Sequence, residues 1–142
     1  MSGPTSAGWI VDASVAVKWF LPVESEPDVA LARQAIGRLP MLLTTLTIYE
    51  TGNVLTRASG FPPHLVAQGL GRLLDICGPA EDLDPEDFVV SARLVEAHGI
   101  TFYDASYSAI AQRLNRGVIS ADRDLLEPGL AVSLGDAIVR SG

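Results

Sequence analysis

Four acidic residues, Asp12, Glu50, Asp104 and Asp122, have types and surroundings that suit chemistry. Taken singly, each has a structural explanation: Asp12 and Asp122 as turn residues, Asp104 as a helix-start charge, Glu50 as a solvated helix residue. Together these explanations weaken, because apolar neighbours flank each acid and an unpaired carboxylate among them is costly to desolvate. No run of lysines or arginines accompanies them. Two carboxylates about 4 Å apart repel by roughly 4 kcal/mol at an effective dielectric of about 20, so a convergent quartet stays ionised only with a cation. An all-oxygen donor set selects Mg²⁺ or Mn²⁺ over zinc. The isolated His64 and His98 with the single Cys77 do not supply a zinc set, and both histidines read as helix-end or surface residues. A divalent centre of this kind suits phosphodiester hydrolysis, since it polarises the phosphoryl oxygen, lowers the pKa of a bound water and steadies the leaving oxygen. The chain carries no phosphate-cradling glycine loop, GxSxG elbow or Cys/His pair to support a rival chemistry.

For these acids to meet, the elements between them must return to one edge. Trp9, Ile10 and Val11 read as a buried strand ended by Asp12, followed by a short helix over Ser14 to Phe20 that Pro22 stops. Ser25, three residues before Asp28, resembles a capping box for a helix using Val29, Ala32, Ile36 and Leu39. Met41 to Thr44 read as a second strand, feeding a helix over roughly Thr47 to Ser59 that carries Glu50. Pro62 and Pro63 open another helix, whose Val66, Leu70, Leu73, Leu74 and Cys77 make one apolar stripe. Gly69 and Gly71 inside it each cost about 1 kcal/mol relative to alanine, and close backbone packing is the simple explanation for both.

Five acids lie between Glu81 and Asp87, with Asp84 placed as an N-cap and Pro85 at the first helical position. This run reads as capping chemistry that complements the helix dipole rather than as a metal site. Phe88, Ala92 and Val95 are the expected buried face of that helix. A further helix spans about Tyr103 to Asn115, with Asp104 in its first turn. Val118, Ile119 and Ser120 form a strand, Asp122 to Glu127 a helical turn, and residues near Ala131 to Ser133 a final strand. The alternation predicts a single α/β domain with a mainly parallel sheet covered by helices on both faces. In such sheets function gathers at the carboxyl ends of the strands, which is where Asp12, Glu50 and Asp122 fall and which Asp104 can face.

The totals set bounds on this reading. At 142 residues and 48% hydrophobic content, the chain suits one domain with a substantial core. Residues 1–8 read as a flexible leader and 9–142 as the domain. The lone cysteine favours a reducing, cytoplasmic setting, and neither a signal sequence nor a membrane span is expected. A net charge of -7 argues against nucleic-acid binding by a broad basic surface. That objection weakens if the acids are gathered around cations.

Val11-Asp12-Ala13-Ser14, Glu50 with Gly52-Asn53-Val54-Leu55, Phe102-Tyr103-Asp104-Ala105-Ser106-Tyr107, and Ser120-Ala121-Asp122-Arg123-Asp124 resemble, in order, four motifs of the PIN-domain nucleases. Length and motif order most resemble VapC-type toxins of bacterial and archaeal toxin-antitoxin (VapBC) pairs. The resemblance implies a Mg²⁺- or Mn²⁺-dependent endoribonuclease, a parallel sheet of four or five strands, a homodimer, and inhibition by a cognate antitoxin. Carried over, Asp12 and Asp104 would be the principal metal ligands, with Glu50 and Asp122 completing the pocket directly or through water. Ser14 and Ser120 would support the ligands, and either Asp122 or Asp124 would point inward. RNA would then need a local basic patch, for which Lys18, Arg57, Arg113, Arg116 and Arg123 are candidates. The Val66 to Cys77 stripe and the residues around Trp19 and Phe20 read as core first, and next as contacts for antitoxin or a second copy. Three other readings compete: a PIN-type nuclease for RNA maturation or DNA, a non-catalytic binding module, and a Mg²⁺-binding phospho-acceptor domain. The last normally needs a buried lysine opposite its acids, whereas the only lysine here is Lys18, early on the first helix.

Overall fold

Strand β1 (Trp9–Val11) is buried along its whole length and occupies the centre of the sheet in this computed structural model, which describes residues 8–58 and 60–141. The expected leader lies, apart from Gly8, outside the described residues. After β1 come α1 (Ala13–Ala16) and a 3-10 turn (Val17–Phe20), another 3-10 turn (Val23–Ser25), α2 (Asp28–Ala35), β2 (Met41–Leu42), α3 (Thr45–Arg57), α4 (Pro63–Cys77) and α5 (Pro85–His98). The chain continues through α6 (Phe102–Leu114), β3 (Gly117–Ile119), α7 (Arg123–Leu126) and α8 (Leu134–Ser141), a helix not foreseen from the sequence.

The sheet is parallel, in the order β2-β1-β3, with Trp9 opposite Met41 and Gly117, and Val11 opposite Ile119. Strand side chains alternate between faces, so a central strand must satisfy two cores. Trp9, Val11 and Ile119 pack on one side with Val15, Ala32, Leu73 and Leu134, drawn from α1, α2, α4 and α8. Ile10 and Val118 pack on the other with Tyr107, Ile110 and Leu125, from α6 and α7. Helices therefore cover both faces, as the alternation required.

Among the described residues three strands form, where four or five were expected. Each sheet edge carries, among the described residues, a single further parallel bridge, Thr44 with Glu81 beyond β2 and Ile119 with Val132 beyond β3. The predicted final strand near 131–133 stops there because Ser133 Oγ accepts from the Asp136 amide at 3.1 Å, turning the chain into α8 after one bridge. Among the described residues no helix is long and apolar enough to cross a membrane.

Three local expectations need correction. Ser25 does not cap α2: its hydroxyl donates to the Pro22 carbonyl at 2.6 Å, and the residue before the helix is Pro27, which has no side-chain donor or acceptor to offer. On α5 the buried residues are Asp87 and Ser91, while Phe88 is 51% exposed and Ala92 is exposed. The reason is electrostatic. Asp87 accepts the Asp84 amide at 2.8 Å and the Arg113 guanidinium from α6 at 3.0 Å, so α5 turns its acid inward and its phenylalanine out. The acid run is thus helix-capping as read, with an ion pair added. Gly69 is closely packed, since a Cβ there would come within 2.4 Å of Phe20, but Gly71 faces open space.

Candidate active site

Asp12 follows β1 and caps α1, receiving the Val15 amide at 3.4 Å. It is only 3% exposed, and both carboxylate oxygens are engaged: Ser14 Oγ donates to one at 2.5 Å and Ser120 Oγ to the other. The same two hydroxyls accept the Ala121 and Asp122 amides, each at 2.9 Å, tying the turn after β3 to the turn after β1. The supporting role expected of Ser14 and Ser120 has this geometry. Burial raises the Asp12 carboxyl from 3.8 to about 6, opposed by its Ser120, Ser14 and Val15 hydrogen bonds.

Glu50 sits on α3, whose start is set by a reciprocal cap: Thr44 Oγ1 accepts the Thr47 amide at 3.0 Å, and Thr47 Oγ1 accepts the Thr44 amide at 3.1 Å. Thr47 also donates to the Val11 carbonyl at 2.9 Å, pinning α3 to the end of β1. The Glu50 carboxylate receives the Tyr107 hydroxyl at 2.6 Å. Read from sequence alone, Tyr107 has no role in the site beyond its place in the Phe102 to Tyr107 motif; its position three residues after Asp104 on α6 is the signal that it can share the site. Its hydroxyl is held well above the usual phenol range, by burial first and then by Glu50.

Asp104 stands in the first turn of α6, whose cap is Thr101 accepting the Asp104 amide at 3.0 Å. Burial raises its carboxyl to about 6, and Asp122, Asp12, Glu50 and Asp124 add to the effect. The neighbours whose charge raises Asp104 are the other three predicted acids and Asp124, so all five share one electrostatic neighbourhood. Asp12, Ser14, Glu50, Asp104 and Asp122 line one cleft of about 410 Å³. Asp104, Asp122 and Asp124 place carboxylate oxygens within 4.8 Å of one another, a spacing one hard cation can bridge. The sequence had posed Asp122 and Asp124 as alternatives, whereas here both approach Asp104. Asp122 caps α7 by accepting the Asp124 amide at 2.9 Å, so the loop is short enough to present both. The residues fit a divalent cation: every donor is a carboxylate oxygen, and their mutual repulsion is relieved by positive charge.

The basic candidates divide. Arg113 is committed to Asp87 and Asp84. Burial works against its charge, but Asp87, Asp84 and Glu81 outweigh that and raise its pKa. Arg123 pairs with Glu127 on the exposed side of α7, and Arg57 donates to Asn53 on α3. Lys18 instead lines the carboxylate cleft, paired with Glu26.

A larger cavity, about 570 Å³, lies elsewhere, between α3, α5 and α6. Its walls include Tyr49, Phe88, Phe102 and Tyr103, with Tyr49 68% and Tyr103 62% exposed. By contrast, Val66, Leu73 and Cys77 of the α4 stripe are buried, and Trp19 and Phe20 pack against the core. Leu74 of that stripe is exposed, so apolar surface lies partly on α4 and partly in an aromatic groove that the sequence reading had not singled out.

Comparison with known proteins returns a consistent group. The PIN domain family model matches residues 9–129. The chain is 34% identical to exonuclease VapC9 of Pyrobaculum aerophilum over 92 residues, spanning 63% of this chain and 67% of that protein. The crystal structure of PAE2754 from Pyrobaculum aerophilum superposes with a TM-score of 0.69 at 25% identity, covering 98% of both chains. That of Mycobacterium tuberculosis VapC20, a sarcin-ricin loop cleaving toxin, gives 0.70 at 15% identity, covering 86% of this chain and 95% of the other.

Proposed function

The chain belongs to the PIN-domain family, and on that premise we propose that it is a Mg²⁺- or Mn²⁺-dependent endoribonuclease, the toxic component of a toxin-antitoxin pair restrained by a cognate antitoxin. The observation that carries this reading is the convergence of Asp12, Glu50, Asp104 and Asp122 from four separate elements on one cleft, with Asp104 and Asp122 lying, together with the neighbouring Asp124, within bridging distance of a single ion. Similarity to a protein named exonuclease VapC9 supports a nuclease of VapC type.

Asp12 and Asp104 are the principal ligands in this proposal, Glu50 and Asp122 complete the set, and Asp124 joins through its approach to Asp104. When bound, the cation would neutralise the phosphodiester and lower the pKa of a bound water. The protein's own contribution is rigid placement. Ser14 and Ser120 hold both oxygens of Asp12, and Tyr107 holds Glu50. Such preorganisation matters because misplacement of a catalytic group by about 1 Å can lower rates on the order of 100-fold.

The exposed aromatic groove of Tyr49, Phe88, Phe102 and Tyr103, and the outer face of α4 with Leu65, Leu74 and Ile76, supply apolar surface for a second copy and for an antitoxin. Asp104→Asn is expected to abolish metal-dependent cleavage while leaving the fold intact. A circular single-stranded RNA, which has no ends, separates internal cleavage from exonuclease action. Cleavage retained by the Asp104→Asn protein overturns the site assignment, and a circular RNA left intact while linear RNA is degraded overturns the endonuclease part.

A further inference from the structure

We propose that Lys18 is the substrate-phosphate-binding residue of the carboxylate cleft, and that Glu26 is its internal counter-ion, holding the ammonium at the wall until a phosphate takes its place. The inference rests on the nuclease reading and adds to it the group that meets the RNA backbone.

The starting point is a charge imbalance. Asp12, Glu50, Asp104, Asp122 and Glu26 all line the cleft, and among the described residues lining it Lys18 is the one cation. A phosphodiester approaching this wall meets acids on nearly every side. A bound metal offsets part of that charge, but a polyanion also needs a fixed positive contact to set its register. Arg113, Arg123 and Arg57 are engaged away from the cleft.

Lys18 is also unusual for a lysine. It is the only one in the chain, and its side chain is just 12% exposed. Lysine normally keeps its ammonium in water, so covering it without a purpose is unfavourable. Its placement follows from the segment that builds the site: the 3-10 turn Val17–Phe20 continues directly from α1, the helix Asp12 caps. Lys18 further lines an adjoining cavity of about 250 Å³ that includes Ser120 and Ala121, so it borders the turn holding Asp122 from a second side.

The pairing with Glu26 has the properties of a displaceable counter-ion. The Glu26 side chain is 41% exposed, and pairs with a partner in water contribute little to stability. An ammonium has three donors, and among the described residues only the one to Glu26 is used. Two remain for the non-bridging oxygens of a phosphate. A purely structural reading makes the pair a clip between two 3-10 turns, in which case both members should matter equally.

The test compares Lys18→Met, Lys18→Arg and Glu26→Gln with the unmodified chain. Binding of a short fluorescent single-stranded RNA is followed in Ca²⁺ as salt is raised, and cleavage is followed in Mn²⁺. Lys18→Met is expected to lower kcat/KM by about 10- to 100-fold, mainly through KM, and to flatten the salt dependence of binding by about 0.7 in log-log slope. Lys18→Arg should recover much of the loss, and Glu26→Gln should bind RNA as well as, or better than, the unmodified chain. If Lys18→Met and Glu26→Gln lose binding and thermal stability in parallel, the pair is a structural clip and the proposal is wrong. If Lys18→Met cleaves and binds with unchanged KM and salt slope, the proposal is also wrong, while the nuclease reading stands. An unmodified chain that neither cleaves nor binds RNA overturns both.

Discussion

Asp12→Asn should make the metal-free protein more stable at neutral and mildly alkaline pH, although it removes a residue proposed to be central to function. The Asp12 carboxyl is held at about 6 in the fold against 3.8 as its ordinary value. Burial is the dominant cause, and Asp12 is 3% exposed, so solvent screening does little to discount it. A carboxyl raised in the fold binds its proton more tightly there than in the unfolded chain, so stability rises as pH falls. With those two values, one such group adds about 1.4 kcal/mol between pH ~8 and pH ~5, nearly all of it below pH ~6.5. For 142 residues the unfolding entropy is about 0.3 kcal/mol per kelvin, making this a Tm difference of about 5 °C. The assay is thermal unfolding by circular dichroism in EDTA across that range, for the unmodified chain and Asp12→Asn. The unmodified Tm should climb relative to the variant as pH falls, because the variant lacks the Asp12 carboxyl together with the share of the Asp104 shift that Asp12 contributes, and both act in the same direction. Saturating Mn²⁺ at pH ~7.5 should invert their order, since only the unmodified site then gains the full cation. Parallel Tm curves, or a gap that opens the other way on acidification, refute the reasoning.

Other expectations follow from single contacts. Tyr107→Phe removes the donor to Glu50 and should lower stability by about 1 kcal/mol and kcat/KM by about 10-fold; unchanged kinetics would mean that Glu50 does not depend on that bond. In calorimetric titrations with Mn²⁺, Asp122→Asn and Asp124→Asn should each weaken binding by about 10-fold or more, and a silent Asp124→Asn would reduce Asp124 to a charge at the start of α7. Gly69→Ala sets a methyl against the Phe20 ring and should destabilise by about 1–3 kcal/mol in urea unfolding. Gly71→Ala, two residues away in open space, should stabilise by up to about 1 kcal/mol; equal effects at the two sites would contradict the packing described.

The strands were legible because each is a short apolar run closed by an acid or a turn, and the parallel arrangement followed from the helices between them. Strand number was not legible. Val132 and Glu81 lie at sheet edges, and whether an edge segment adds one bridge or a full strand depends on what its neighbours do next, as Ser133 shows by starting α8. The face of α5 was misread for a related reason: Phe88 has the more apolar side chain, but Asp87 has Arg113 waiting on α6, and a charge-assisted pair decided the rotation.

For the site, residue types and local order by themselves determined that Asp12, Glu50, Asp104 and Asp122 stand near starts or ends of elements, because caps and strand ends are local features written in adjacent residues. Only the tertiary structure decided which groups share space. It set both oxygens of Asp12 on two serines separated by 106 positions, brought Tyr107 to Glu50, and admitted Asp124 beside Asp122 where the sequence posed a choice. It also left Lys18 in the cleft while sending Arg113 elsewhere. The physical reason is that contacts between distant segments depend on helix rotation and sheet register, which are collective properties of the packed core and are not encoded at any one position.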